Sequence, residues 1–228
     1  MKIVSIIIPS YNEENTIAEI ITRVKDVSLD HLQVQKEIIV VDDGSTDRTK
    51  EVLHGIKGIN LFVHEKNKGK GSAIRTGLVH AKGDIFIIQD ADLELNPAEY
   101  PVLLTPIISG ETEIVYGSRY LKNKHVTFLS MLANTAVTQC ANLLYGLHIT
   151  DEATGYKVFT RHVLDSITLR CTRFEFCPEF TAKIAKRKFK IVEVSVSYAY
   201  RKPAEGKKVG WKDGFEALWT LFKYRFVD

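Results

Sequence analysis

The apolar positions of the first 117 residues fall into short runs separated by amphipathic stretches. "IVSIIIP" (3–9), "EIIVVDD" (37–43), "INLFVHE" (59–65), "DIFIIQD" (84–90) and "EIVYGS" (113–118) have the length and β-branched content of strands. Between them, Ile17, Ile20, Ile21, Val24 and Val27 recur with helical spacing, and "TDRTKEVL", "KGSAIRTGLVHA" and "PAEYPVLLTPII" read as further helices. Strictly alternating strand and helix signals predict a mostly parallel α/β sheet with helices on both faces. In such sheets the loops at the strands' carboxyl ends carry the ligands. Those loops here read Pro9-Ser10-Tyr11-Asn12-Glu13, Asp42-Asp43-Gly44-Ser45 and Gln89-Asp90-Ala91-Asp92.

Beyond about residue 125 the pattern changes. "VTFLSMLANTAVTQCANLLYGL" (126–147) predicts an amphipathic helix stopped by Gly146. A mixed region "DEATGYKVFTR" follows, then a helix through "CPEFTAKIAKR", a strand "KIVEVSVSYAY", a basic loop "RKPAEGKKVG" and a last helix "WKDGFEALWTLFKYRF". There is no internal repeat or low-complexity tract. No run of 18 apolar residues appears, and the first residues look like a strand instead of a signal peptide, so a cytoplasmic location without a membrane span is expected. Cys140, Cys171 and Cys177 form no CxxC pair, which leaves no signal for a disulfide framework or zinc site.

Charge sharpens the picture. The net charge of +3 conceals 15 basic against 20 acidic residues in 1–156 and 16 against 8 in 157–228. The basic third could meet phosphorylated ligands, an anionic membrane surface or nucleic acid, or form a solvated face. Asp90, Asp92 and Glu94 crowd three acids into one strand-to-helix loop, with Asn96-Pro97 as the following helix start. Such carboxylates repel unless a cation or hydrogen-bond donors compensate, and oxygen ligands suit Mg²⁺ or Mn²⁺. A solvated acidic loop is the alternative. A dinucleotide cofactor is not supported, because "PSYNEEN" has no glycine where GxGxxG would begin, and no P-loop pattern occurs.

The series "VSIIIPSYNEENTI", "EIIVVDDGSTDRT", "NKGKGSAIRTGL", "GDIFIIQDADLE" and "IVYGSR" resembles inverting family 2 glycosyltransferases of the GT-A fold, in particular the polyprenyl-phosphate sugar synthases. The resemblance extends through "DEATGYKVFTR", "FEFCPEF" and "SYAYRKPAEGKKVGW". It implies a Rossmann-like sheet forming one domain, with 1–120 binding a nucleotide-sugar and 121–228 as an acceptor-side extension. It implies that Pro9, Tyr11, Asn12 and Glu13, with Asp42, hold the donor's base and ribose, that Gly44 and Ser45 let backbone approach closely, and that Asp43 joins them in binding the nucleotide-sugar. Asp90 and Asp92 match the metal-binding D-x-D motif, and Glu94 stands where some relatives have a glutamine ligand. Lys70, Arg119, Arg201 and Lys207 fall at positions near phosphate or sugar. Lys157 replaces a frequent arginine, keeping the charge and losing the guanidinium fork.

The implied donor is GDP-mannose or a UDP-sugar, and the implied acceptor a polyprenyl or dolichyl phosphate, with no nucleic-acid partner. A phosphate monoester near neutral pH is already anionic and needs no protein base. A sugar hydroxyl does need one, and the Asp151-Glu152 pair would be its source. Transfer to such a hydroxyl and a catalytically silent nucleotide-sugar-binding protein are the alternatives. The last helix, with Trp211, Phe215, Trp219, Phe222 and Tyr224 beside Lys212, Lys223 and Arg225, suits a bilayer surface, the protein core or a dimer contact. Many relatives continue into transmembrane helices, so peripheral attachment to the cytoplasmic membrane face, an integral-membrane partner or a homo-oligomer is expected to provide membrane contact.

Overall fold

The computed structural model describes residues 1–121, 128–200 and 211–227, with backbone alone at 128–132 and 211. The first apolar run forms β1 (Lys2–Ser10). Its successive side chains alternate between faces, and both faces are covered. Ile6 and Ile8 pack into one core layer with Ile17, Ile20, Ile21 and Val24 of α1 (Ile17–Asp26), Leu53 of α2 (Thr49–His54) and Tyr100, Leu103, Leu104 and Ile107 of α4 (Tyr100–Ile108). Ile7 belongs to the opposite layer with Ala73, Ile74 and Leu78 of α3 (Lys70–His80). That second layer continues through Val163 of α6 (Arg161–Ser166) and Phe176, Phe180 and Ile184 of α7 (Phe176–Lys186).

The remaining strands are β2 (Val34–Asp42), β3 (Asn60–Val63), β4 (Ile85–Ile88), β5 (Ile114–Ser118), β6 (Lys157–Thr160) and β7 (Ile191–Ser195). They form one sheet of seven strands in the order β3-β2-β1-β4-β6-β5-β7. Within it β6 alone runs antiparallel, pairing Phe159 with Phe86 of β4 and Val158 with Val115 of β5. The mixed region beginning at Asp151 therefore supplies a central strand, which the alternation of the first 117 residues did not foretell. β7 adds to β5 in parallel, Ile114 beside Ile191.

Local signals set the boundaries of several elements. Asn96 accepts a hydrogen bond from Ala98 N at 3.1 Å, and Pro97 opens the short 3₁₀ turn that feeds α4. α5 (Phe128–Tyr145) ends where Gly146 takes φ +66°, a left-handed conformation suited to glycine. α8 (Trp211–Phe226) lies across α5 and α7, burying Leu221 and Tyr224. Tyr145 donates from its hydroxyl to the Leu221 carbonyl at 2.6 Å, and the Lys183 ammonium stands 4.4 Å from the Tyr224 ring. No helix among the described residues is long and apolar enough to cross a membrane.

Candidate active site

A cleft of about 1330 Å³ opens over the carboxyl ends of β1, β2 and β4, and α7 and the start of α8 complete its walls. Sequence-predicted residues that line it are Pro9, Tyr11, Glu13, Asp43, Lys70, Asp90, Asp92, Glu94, Arg119 and Glu152. Asn12, Asp42, Gly44, Ser45 and Asp151 stand behind it. Arg201 and Lys207 lie outside the described residues.

The residues behind the wall brace it. Asp42 is fully buried, and its carboxylate accepts from Ser45 N at 3.3 Å and Ser45 Oγ at 2.5 Å. Asn12 N donates in turn to Ser45 Oγ at 2.9 Å, and Asn12 Oδ1 accepts from Thr46 N at 2.8 Å, so the loops after β1 and β2 are stitched together. Gly44 has φ +72°, and a Cβ there would meet the Lys66 backbone at 2.5 Å, which admits glycine alone without rearrangement. The carboxylate from this strand end that reaches the cleft is Asp43. It accepts from Lys68 N at 3.0 Å, Gly69 N at 2.7 Å and His64 Nδ1 at 2.6 Å, fixing the loop that leads into α3.

At the end of β4 the acids are unequally compensated. Lys70, the first residue of α3, sets its ammonium 2.5 Å from Asp90 Oδ1. Burial pulls the Lys70 ammonium down, but the negative charges around it, chiefly that of Asp90, prevail and hold it at about 12. Among the described residues Asp92 makes no ion pair of its own, and Lys70 relieves it only in small part. Burial, then the charges of Asp90 and Glu94, push its carboxyl up to about 7. Glu94 Oε2 accepts from the Tyr198 hydroxyl at 2.7 Å. Among the described residues no three His, Cys, Asp or Glu side chains are arranged to hold a metal by themselves. Two carboxylates with excess negative charge still fit a hard divalent cation whose remaining ligands come from phosphate and water. Gly155 leaves them room, since a Cβ there would stand 2.6 Å from Asp90 Oδ2.

The Asp151-Glu152 pair divides into two roles. Asp151 is fully buried and grips Arg119 through both oxygens, with Nε to Oδ2 and Nη2 to Oδ1 each at 2.7 Å and the Arg119 backbone N–H at 3.0 Å. Burial works against the guanidinium charge, and Asp151 more than restores it, raising the Arg119 pKa. The guanidinium also faces the rings of Tyr120 and Tyr198 at 5.7 and 5.2 Å. Glu152, which forms part of the cleft wall, is equally buried, and its Oε1 accepts from Thr181 Oγ1 at 2.9 Å.

Cleft residues that the sequence reading passed over include Cys177 and Tyr198. Tyr198 lies inside the resembling stretch "SYAYRKP", which was the available signal, whereas its bond to Glu94 is visible only in the fold. Cys177 sits on the first turn of α7, where nothing in the local pattern distinguishes a cleft thiol from a core one.

A mostly parallel seven-stranded sheet with one reversed strand, helices on both faces and a polar cleft over its strand ends is a GT-A-type glycosyltransferase fold. The glycosyl transferase family 2 model matches residues 5–168, and the chain belongs to that family. It is similar to the UDP-N-acetylglucosamine dolichyl-phosphate N-acetylglucosaminyltransferase of Methanococcus voltae, 29% identical over 96% of this chain and 95% of the relative. It is also similar to the dolichol-phosphate mannosyltransferase of Pyrococcus furiosus, 32% identical over 96% of this chain and 63% of that longer protein. Among solved structures, glucosyl-3-phosphoglycerate synthase from Mycobacterium tuberculosis, in complex with Mn²⁺, UDP and phosphoglyceric acid, superposes with a TM-score of 0.77 at 21% identity. That match covers all of this chain and 80% of the other.

Proposed function

We infer that the protein transfers a sugar, with inversion, from a nucleotide diphosphate-sugar to a polyprenyl or dolichyl phosphate. The observation that carries this reading is the cleft that joins the under-compensated Asp90/Asp92 pair to Arg119 and Lys70, in a chain whose relatives are named for transfer to lipid phosphates. Asp90 and Asp92 would hold Mg²⁺ or Mn²⁺, whose charge neutralises the departing diphosphate. Lys70 lies beside them as a second positive charge. Pro9, Tyr11, Glu13 and Asp43 are the wall for base and ribose, in residues 1–120, and residues 121–228 form the acceptor side.

The state of Asp151 favours a phosphate acceptor. Both of its oxygens are engaged by Arg119, so it is not poised to take a proton from a sugar hydroxyl. Lipid access is supported by α8, whose Phe215, Trp219, Phe222 and Phe226 are 68, 64, 50 and 72% exposed, and whose Phe215 also lines the cleft. Exposed Lys212, Lys223 and Arg225 accompany them, which suits the surface of an anionic bilayer. A hydroxyl acceptor is the second reading because Glu152, unlike Asp151, forms part of the cleft wall.

The test is a binding panel of UDP- and GDP-sugars with Mg²⁺ and with Mn²⁺, followed by transfer of labelled sugar from the donor that binds to a polyprenyl phosphate. Label is expected in the organic phase only with polyprenyl phosphate and metal present. Label on a soluble glycan acceptor instead would establish the second reading.

A further inference from the structure

We propose that His64 is a positioning residue of the active site: through Asp43 it holds the chain entering α3, and thereby sets where the Lys70 ammonium stands relative to Asp90 and the donor's diphosphate. The proposal rests on the donor reading above. His64 is buried and follows directly on β3, and its backbone N–H extends the sheet by donating to the Asp42 carbonyl at 2.9 Å. Both ring nitrogens are engaged. Nδ1 lies 2.6 Å from Asp43 Oδ1, and Nε2 lies 2.9 Å from Oγ1 of Thr76, on the second turn of α3. His64 does not line the cleft, so it acts on a bound ligand only through what it holds.

Asp43 passes the constraint on. Its Oδ1 accepts a second bond from Lys68 N at 3.0 Å and its Oδ2 accepts from Gly69 N at 2.7 Å, so the two amides immediately before α3 end on one side chain. Without the imidazole, those amides alone would have to fix the rotation of a buried carboxylate that has lost a donor. Nδ1 donates to Asp43 whether the ring is neutral or charged, because the Thr76 hydroxyl can donate to Nε2 or accept from it. The hold on Asp43 is therefore kept in both forms.

Lys70 is the next residue after Gly69, and its ammonium stands 2.5 Å from Asp90 Oδ1. From the other side, Gly71 N and Ser72 N donate to the carbonyls of Arg173 and Thr172, each at 2.9 Å. The first turn of α3 is thus pinned between the end of β2 and the loop at 172–173, while Thr76, further along the helix, is bonded to the same imidazole. A lysine head on a flexible four-carbon stem is a poor locator of charge by itself. The placement of its backbone has to supply the precision, and an error of about 1 Å in a positioned group can cost on the order of 10²-fold in rate.

The full chain is titrated calorimetrically with UDP and with GDP in the presence of Mn²⁺, as wild type, His64→Ala, His64→Asn, His64→Gln, Lys70→Met and the double variant His64→Ala/Lys70→Met. Asparagine puts an amide N–H in the place of Nδ1 and restores the bond to Asp43; glutamine puts its amide in the place of Nε2 and reaches Thr76 instead. Affinity is expected to fall about 5–50-fold in His64→Ala and in His64→Gln, and to stay within about threefold of wild type in His64→Asn. In the Lys70→Met background the His64→Ala penalty should shrink below about twofold, the non-additivity of two residues acting in one network. A role confined to packing would lower stability in both backgrounds and leave that coupling at zero. A second readout needs no donor: amide hydrogen exchange over residues 67–73 should quicken in His64→Ala and His64→Gln and keep the wild-type rate in His64→Asn. Should alanine fail to fold, the asparagine and glutamine variants carry the comparison. An undiminished penalty in the Lys70→Met background, or glutamine equal to asparagine in both affinity and exchange, would overturn the proposal. If wild type binds neither diphosphate, the donor reading falls by itself, and equal exchange in all the His64 variants would then overturn the hold of His64 on α3.

Discussion

Asp92 shows what one residue asks of its environment. Its carboxyl is pushed up to about 7 by burial and then by Asp90 and Glu94, whereas an aspartate in the unfolded chain titrates at 3.8. Between those values the folded protein keeps a proton that the unfolded chain has released. The stability this proton contributes is complete below the unfolded value and is lost as pH rises through about 7. A divalent cation competes for the same oxygens, so its affinity is expected to weaken as pH falls below about 7, with protons released on binding. Calorimetry in buffers of different ionisation enthalpy measures that release, and Asp92→Asn should abolish it; an affinity indifferent to pH in this range would contradict the placement. Asp151 makes a different demand. The sequence offered it as a candidate base because hydroxyl-directed relatives keep theirs in that loop, but pairing with Arg119 is a tertiary fact with no local trace. Asp151→Asn leaves the buried guanidinium without its counter-charge and is expected to cost about 3–5 kcal/mol in urea unfolding. The same substitution at an exposed acid would register little.

At the scale of elements, α8 is the helix whose limits were most legible and whose orientation was least. Aromatic residues lie on both of its faces, so periodicity could not choose the buried one. The fold does so by packing Leu221, with Ala217 and Leu218, against Val137 and Ala141 of α5. Leu221→Ala is expected to lose about 2–5 kcal/mol of stability. Trp219→Ser with Phe222→Ser should shift stability by well under that amount and reduce retention on anionic liposomes. Unaltered retention would assign the outer face to another partner. β6 was illegible for a related reason. Its run "KVFT" is short and starts with a lysine, which sequence patterning treats as a solvent residue. Among the described residues the Tyr116 ring, the carbonyls of Glu152 and Thr154 and the nearby Glu152 carboxyl make that ammonium acceptable inside a sheet. By contrast β1, β2 and β4 are buried on both faces, and continuous apolar runs announce such strands directly.

Across the whole molecule, charge is unevenly distributed between the two parts of the sequence. Residues 157–228 carry 16 basic against 8 acidic side chains, and α8 brings Lys212, Lys223 and Arg225 to the surface beside its exposed aromatics. Liposome binding is therefore expected to fall as salt rises, because screening acts over about 10 Å at 0.1 M. A residual binding that resists salt would measure the aromatic contribution. The convergence of strand-end loops on one cleft was legible because parallel sheets place their ligands there. The inward turn of Asp42 and the cleftward turn of Asp43, adjacent and chemically identical, were not, since side-chain direction is decided by Ser45 on one side and by the loop at Lys68 and Gly69 on the other.

The reversed strand has a consequence for how the chain becomes a protein. β4 finds its neighbour on one side only when Phe159 arrives opposite Phe86, and β5 has no partner until β6 or β7 is available. During synthesis the unit β1-β2-β3-β4 can assemble early, with an unpaired apolar edge that waits for more than 60 residues of intervening chain. Distant pairings of this kind slow folding and leave edges open to aggregation. Nascent chains stalled before residue 157 should be protease-sensitive around β5 and bind chaperones, whereas those that have exposed β7 beyond the ribosome should be protected. The strand that closes the sheet thus sets the moment at which the enzyme can first exist.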